Sequence, residues 1–213
     1  MTFVTAWKKP WFLPNGGFKI DFIGEEAIDG GRPRREFFTD ILDEIELRLF
    51  INETDGCGKS PHENIIAVSN GHFRVAGELM AASIVQGGPA PDFMAPWVYD
   101  YISAGIKGVT VDQEKVLQEV NSDKALQDLL MEEDVLEQLG NIGYRGVPHR
   151  ETLKNRSSLI RSLCIKSYLV PKIPMLDQLC EGLQTLGVLE LARKNQTQMK
   201  PIFYSNWQQF NYK

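Results

Sequence analysis

The stretch Gly71–Gln86, "GHFRVAGELMAASIVQ", constrains the fold more than any other. Phe73, Ala76, Met80 and Ile84 recur at helical spacing, and Val75, Leu79 and Ala82 widen the apolar surface around them. A helix apolar over so much of its circumference has to be buried on most sides. It stops at Gly87-Gly88-Pro89, residues that end helices. The rest of the chain must therefore supply enough elements to cover it. At 213 residues, with 43% hydrophobic and 24% charged side chains, there is material for one large domain or two small ones.

The covering elements read as mostly helical. From Arg34 onward, Phe38, Ile41, Leu42, Ile45 and Leu49 fall on one helix face, while Asp40, Asp43, Glu44 and Arg48 lie largely elsewhere. Pro33 suits the first turn, where a missing N–H costs nothing. Before it, Asp29-Gly30-Gly31 is a turn, and residues 18–23, "FKIDFI", alternate like a short strand. Residues 51–62 read as a polar, glycine-bearing loop and 65–69, "IIAVS", as the other candidate strand. A short helix is expected over residues 95–105, and longer ones over 123–139 and 150–169. A further helix from Met175 has a break near Gly182 or Gly187. The fold class expected is mainly α with a few short β-strands (α+β). No internal repeat or low-complexity segment occurs, and Pro171 and Pro174 mark a joint rather than a domain boundary.

Composition excludes several functions. A net charge of -5 argues against generic nucleic-acid binding. Cys57, Cys164 and Cys180 are odd in number and far apart, which predicts thiols in a reducing compartment. The first residues, "MTFVTAWKKPWFLPNGG", have lysines and a proline where a signal peptide needs an apolar core. No run of about 18 apolar residues spans a membrane. A cytoplasmic or nuclear protein is the expectation.

No complete active site is legible. "DGCGKS" resembles the end of a phosphate-binding loop, but Glu53 stands where the first glycine belongs and Pro61 where a helix should be under way. His62, His72 and His149 form no zinc motif, so neither a metal nor a cofactor is expected. Cys164 and Cys180 read as buried structural thiols and Cys57 as the most exposed. Charge is segregated: nine acids and two lysines between Asp112 and Glu137, seven basic residues and one acid between Arg145 and Lys172. Two solvated faces turned towards each other would explain this, as would an acidic surface that docks a basic partner.

One window carries a resemblance. "FIGEEAIDGGRPRREFF" places Gly24, Glu25, Asp29, Gly30, Gly31, Arg35, Glu36, Phe37 and Phe38 in the pattern that opens the HECT domain, the catalytic domain of one class of E3 ubiquitin ligases. "HFRVAGELMAASIVQGG" and residues 175–203 are similar to later stretches of that family's N-lobe. "SIVQGGPAPDFMAPWVYDYI" looks most like a divergent branch related to the G2/M phase-specific E3 ligases. The resemblance covers roughly residues 18–205 and implies a HECT N-lobe-like domain there, with an N-terminal extension over 1–17 and a tail over 206–213 leading towards a C-lobe. The nine motif residues are structural in this reading. The glycine pair turns the corner, and Glu25, Glu26 and Asp29 neutralise Arg34 and Arg35, which sit unfavourably at a helix N-terminus.

The resemblance implies an E2 ubiquitin-conjugating enzyme and ubiquitin as partners, with an unidentified protein substrate, and neither nucleic acid nor membrane. It also implies that this chain alone forms no thioester. The family's acceptor cysteine stands in a Thr-Cys-Phe context in the C-lobe, which none of the three cysteines here has. The family's E2-binding subdomain is inserted within the N-lobe; the corresponding region here, about 107–148, is short and acidic, and no contact residue is assigned to it. The readings left open are an N-lobe portion of a HECT-type ligase, a non-catalytic HECT-derived binding module, and an unrelated helical interaction domain. The aromatic tail Ile202, Phe203, Tyr204, Trp207 and Phe210 is expected to be mobile or sticky.

Overall fold

The computed structural model describes residues 32–54, 56–109 and 113–204. They are mostly helical, with one small antiparallel sheet. The chain forms two compact units: unit 1 runs to Val109 and resumes at Pro174, and unit 2 is the stretch Thr110–Ile173 between them. The expected strand at 18–23 and the boundaries at 17/18 and 205/206 lie outside the described residues.

Unit 1 opens with helix α1 (Arg32–Leu49). Its five apolar positions, Phe38, Ile41, Leu42, Ile45 and Leu49, are all buried, as their spacing predicts. The stretch expected to be a polar loop is a hairpin instead. Strands β1 (Phe50–Asn52) and β2 (Lys59–Pro61) pair antiparallel, Ile51 opposite Ser60. Three-residue strands leave almost no alternation to detect, and the hairpin is held by partners far away in sequence. Lys59 N–H donates to Phe93 O at 2.8 Å and Lys59 O accepts from Ala95 N–H at 2.8 Å, while Met94 N–H donates to Phe203 O at 3.0 Å. The extended segment 93–95 thus lies between the hairpin and the chain at Phe203. Gly58 lets this happen. Its φ is +94°, and a Cβ there would lie 2.6 Å from Met94 O.

The run "IIAVS" is a helix, α2 (Ile65–Ser69), not a strand. Asn64 caps it, its Oδ1 accepting from Ala67 N–H at 2.9 Å, and this local bond overrides the β-propensity of Ile65, Ile66 and Val68. Helix α3 (His72–Val85) is the predicted central helix, with Phe73, Val75, Ala76, Leu79, Met80, Ala81 and Ala82 buried. Ser83 Oγ donates to Pro89 O at 2.6 Å and so fixes the turn that ends it. Helix α4 (Pro96–Ala104) has its proline at the first position.

After unit 2 the chain returns as α9 (Ile173–Gln184), α10 (Val188–Lys194) and α11 (Gln196–Phe203). The break falls at Gly187, which has φ +74°. Gly182 lies inside α9, where it faces Gly77 of α3; a Cβ on either would run into the other helix's backbone. Two buried tyrosines tie α4 to these returning helices. Tyr99 donates to Gln196 O at 2.6 Å and Tyr101 to Asp177 Oδ1 at 2.8 Å. Of the tail residues, Phe203 is fully buried, stacked on Tyr99 with ring centroids 5.5 Å apart, and Ile202 and Tyr204 are half-buried. Trp207 and Phe210 lie outside the described residues.

Unit 2 contains α5 (Glu114–Glu119), α6 (Asp123–Leu130), α7 (Glu133–Asn141) and α8 (Arg156–Cys164). Val120, Leu126, Leu130, Leu139, Leu159, Ile160 and Leu163 form its core. Residues 123–139, expected as one helix, break at Met131-Glu132. A straight helix turning Leu126 and Leu130 inward would next turn in Asp134 and Glu137; the break brings Leu139 inward instead. Beyond α8, a π-helical turn (Ile165–Leu169) and a 3₁₀ turn (Val170–Lys172) carry the chain to the Pro171–Pro174 joint, where unit 2 ends.

Candidate functional site

The HECT-like motif falls mostly outside the described residues: Gly24, Glu25, Asp29, Gly30 and Gly31 lie there, as do Glu26 and the corner they were expected to form. Of the remainder, Arg35 and Glu36 are exposed on the first turns of α1. Phe37 is half-buried and Phe38 fully buried, their rings 5.5 Å apart edge to face. Arg34 Nε is buried without a hydrogen-bond partner among the described residues.

Among the described residues, the cysteines and histidines lie apart. None of the cysteines is disulfide-bonded; Cys57 and Cys164 are half-buried and Cys180 is buried, so Cys164 is less enclosed than expected. Burial pushes the Cys180 thiol up to about 11, which keeps it a thiol at neutral pH. His62 and His149 are exposed and His72 is half-buried, in separate parts of the chain. Among the described residues no group of three His, Cys, Asp or Glu is placed to hold a metal ion. Residues Gly56 to Ser60 lie in the β1–β2 hairpin, beside a cleft of about 220 Å³ lined by Glu46, Asn52, Gly56, Gly58, Lys59 and Phe93. Lys59 is paired there with Glu46 at 2.7 Å, so the cleft offers an anion no uncommitted cation.

Unit 2 presents a more defined surface. At the α6–α7 corner, Met131 is 50% and Leu136 39% exposed, among the exposed carboxylates of Glu132, Glu133, Asp134 and Glu137. The second region is the loop from Ile142 to Asn155, between α7 and α8. It has little regular structure but many ties. Tyr144 donates to Glu151 Oε1 at 2.7 Å and Asn155 Nδ2 to Glu151 Oε2 at 2.9 Å. Gln127 Nε2 donates to Glu151 O at 2.9 Å, and Leu153 N–H to Asp123 Oδ1 at 2.8 Å. At its end, Arg156 Nη1 donates to Val120 O at 2.7 Å, closing the last turn of α5. Gly146 is required beside Tyr144, because a Cβ would meet the Tyr144 ring.

These bonds show in the ionisation of the pair. Hydrogen bonds from Asn155 and then from Tyr144 hold the Glu151 carboxyl below its ordinary range. Burial, and then the bond to Glu151, pushes the Tyr144 phenol up to about 12. Glu151, the single acid of the basic stretch, is therefore occupied by the loop itself. The outward side chains Arg145, His149, Arg150 and Lys154 are exposed and make no hydrogen bond or ion pair among the described residues. The ion pairs Arg48–Glu44, Lys59–Glu46, Arg74–Glu78 and Lys194–Glu190 all lie outside the two charge blocks.

The charge blocks are legible in the sequence, while the exposure of Met131, Leu136, Val147 and Leu153 among them is not. The available signals were the phase slip between Leu130 and Leu139 and the lone Glu151 among basic residues. In comparisons with known proteins, no family model matches the chain and no curated protein matches it. Among the described residues no helix is long and apolar enough to cross a membrane.

Proposed function

We propose that the chain is an E2-recruiting module of the HECT N-lobe kind, which holds a ubiquitin-charged E2 enzyme without itself accepting ubiquitin. The reading starts from the resemblance of Gly24–Phe38 to the opening of that domain. The observation that carries it further is the insertion of unit 2: Thr110–Ile173 is a compact unit placed within the sequence of unit 1, as the E2-binding subdomain is inserted within the family's N-lobe. The α6–α7 corner, with Met131 and Leu136 exposed, supplies apolar contacts of the kind a docking partner covers. The non-covalent part of the reading is supported by the thiols. Cys180 is buried and held protonated, and none of the three cysteines stands between threonine and phenylalanine.

The test combines charging and binding. The chain is incubated with E1, ubiquitin and a panel of E2 enzymes, and charged-E2 binding is followed by interferometry. Binding by at least one E2, weakened about tenfold by the double substitution Met131→Asp and Leu136→Asp, is the expected result. Failure of every E2 to bind would leave an unrelated helical interaction domain as the better description. A thiol-sensitive ubiquitin adduct on the chain, lost when one cysteine is replaced by serine, would overturn the non-covalent reading.

A further inference from the structure

We propose that the Ile142–Asn155 loop of unit 2 docks a short acidic peptide segment of a partner protein, one that carries an apolar side chain among its carboxylates. The inference does not depend on E2 recruitment. It rests on how the loop disposes of its own groups. Its one carboxylate, Glu151, faces Tyr144 and Asn155, and its backbone is tied to Gln127 and Asp123 of α6. The cations of Arg145, Arg150 and Lys154 are left pointing to solvent, with no hydrogen bond or ion pair among the described residues. Val147 and Leu153, interleaved with them, are 44% and 39% exposed. The loop is thus ordered before any partner arrives, and ordering entropy is the largest avoidable cost of binding a peptide.

The chemistry of the occupant follows from what surrounds the cations. Three cations in a short loop attract carboxylates, and two half-exposed aliphatic side chains favour a partner with an apolar group between them. A long phosphodiester strand fits less well. Asp128 is exposed on α6, the helix that packs against the Pro148–Arg150 turn, and Glu132 and Glu133 follow it, so a polyanion extending past the loop meets like charge. The aromatic group of the loop, Tyr144, has its hydroxyl committed to Glu151 and is half-buried, which leaves no open platform for stacking a base. A second copy of the chain is disfavoured by the net charge of -5 on each copy.

The experiment uses the full chain and a fluorescein-labelled synthetic peptide of glutamates interrupted by two leucines, with binding followed by anisotropy. The expected result is saturable binding that weakens about tenfold or more when the glutamates become glutamines. The same loss is expected in the double variant Arg150→Glu, Lys154→Glu, and a smaller one in Leu153→Ser. Lys107→Glu, an exposed change of the same sign in unit 1, should leave affinity unaltered. The substituted side chains are exposed, and far-UV circular dichroism of each variant checks that it folds. The proposal is overturned if the peptide does not bind, if the double variant binds it as well as the parent chain, or if a peptide of glutamates alone binds equally well. It is also overturned if an oligouridine RNA binds more tightly, or if the same variants abolish a concentration-dependent self-association seen by sedimentation.

Discussion

Gly77 and Gly182 set how closely α3 and α9 approach. A Cβ on Gly182 would lie within 2.6 Å of Glu78 N and closer still to Arg74 O, both backbone atoms that cannot swing aside. Gly182→Ala should therefore destabilise unit 1 by about 3 kcal/mol, the upper end for overpacking. Gly187→Ala meets no atom within 4 Å and bears only the strain of a φ of +74°, about 1 kcal/mol. Urea denaturation of both variants separates the two effects, and equal losses would refute the close-approach account. In the sequence the two glycines look alike: each interrupts an apolar helical pattern. What distinguishes them is another helix brought against one of them from about a hundred residues away, which no local pattern records. Phe38 was legible for the opposite reason. Its burial follows from a period its own neighbours repeat.

Elements were legible where the apolar period was long and lost where a few bonds decided. The faces of α1 and α3 follow directly from spacing. Helix α2 turns on one Asn64 cap, and the β1–β2 hairpin on backbone bonds to 93–95. The loop before α8 depends equally on a few groups, and pH exposes them. The Glu151 carboxyl is lowered from 4.5, so its contribution to unit 2 is complete above that pH and is lost as pH falls through the folded value. The Tyr144 phenol is raised from 10.0 to about 12, so its contribution is complete below pH 10 and is lost as pH rises through about 12. Thermal melts from about pH 3 to about pH 11 should show a plateau falling at both ends. In Glu151→Gln the acid-side fall should shrink; an unchanged profile would mean that other carboxylates dominate it.

For the whole molecule, the charge blocks and the helical content were open to reading, while the two-unit division was not. Pro171 and Pro174 read as a joint rather than a clear domain boundary, yet unit 2 ends there, and its entry at Val109–Thr110 has no such punctuation. The insertion has a consequence for how the chain is made. Besides α1 and α2, the partners of α3 and α4 lie in α9 to α11, so unit 1 cannot complete its core until residues near Phe203 have left the ribosome. At roughly 5–20 residues per second, the apolar surface of α3 waits several seconds while unit 2, whose contacts are local, can fold first. Limited proteolysis of stalled nascent chains should find unit 2 protected once Ile173 has emerged and α3 protected only after Phe203. Early protection of α3 would refute this order. For those seconds the later-covered apolar surface of α3 is open to whatever holdase binds it first, so the insertion predicts a need for chaperones at birth.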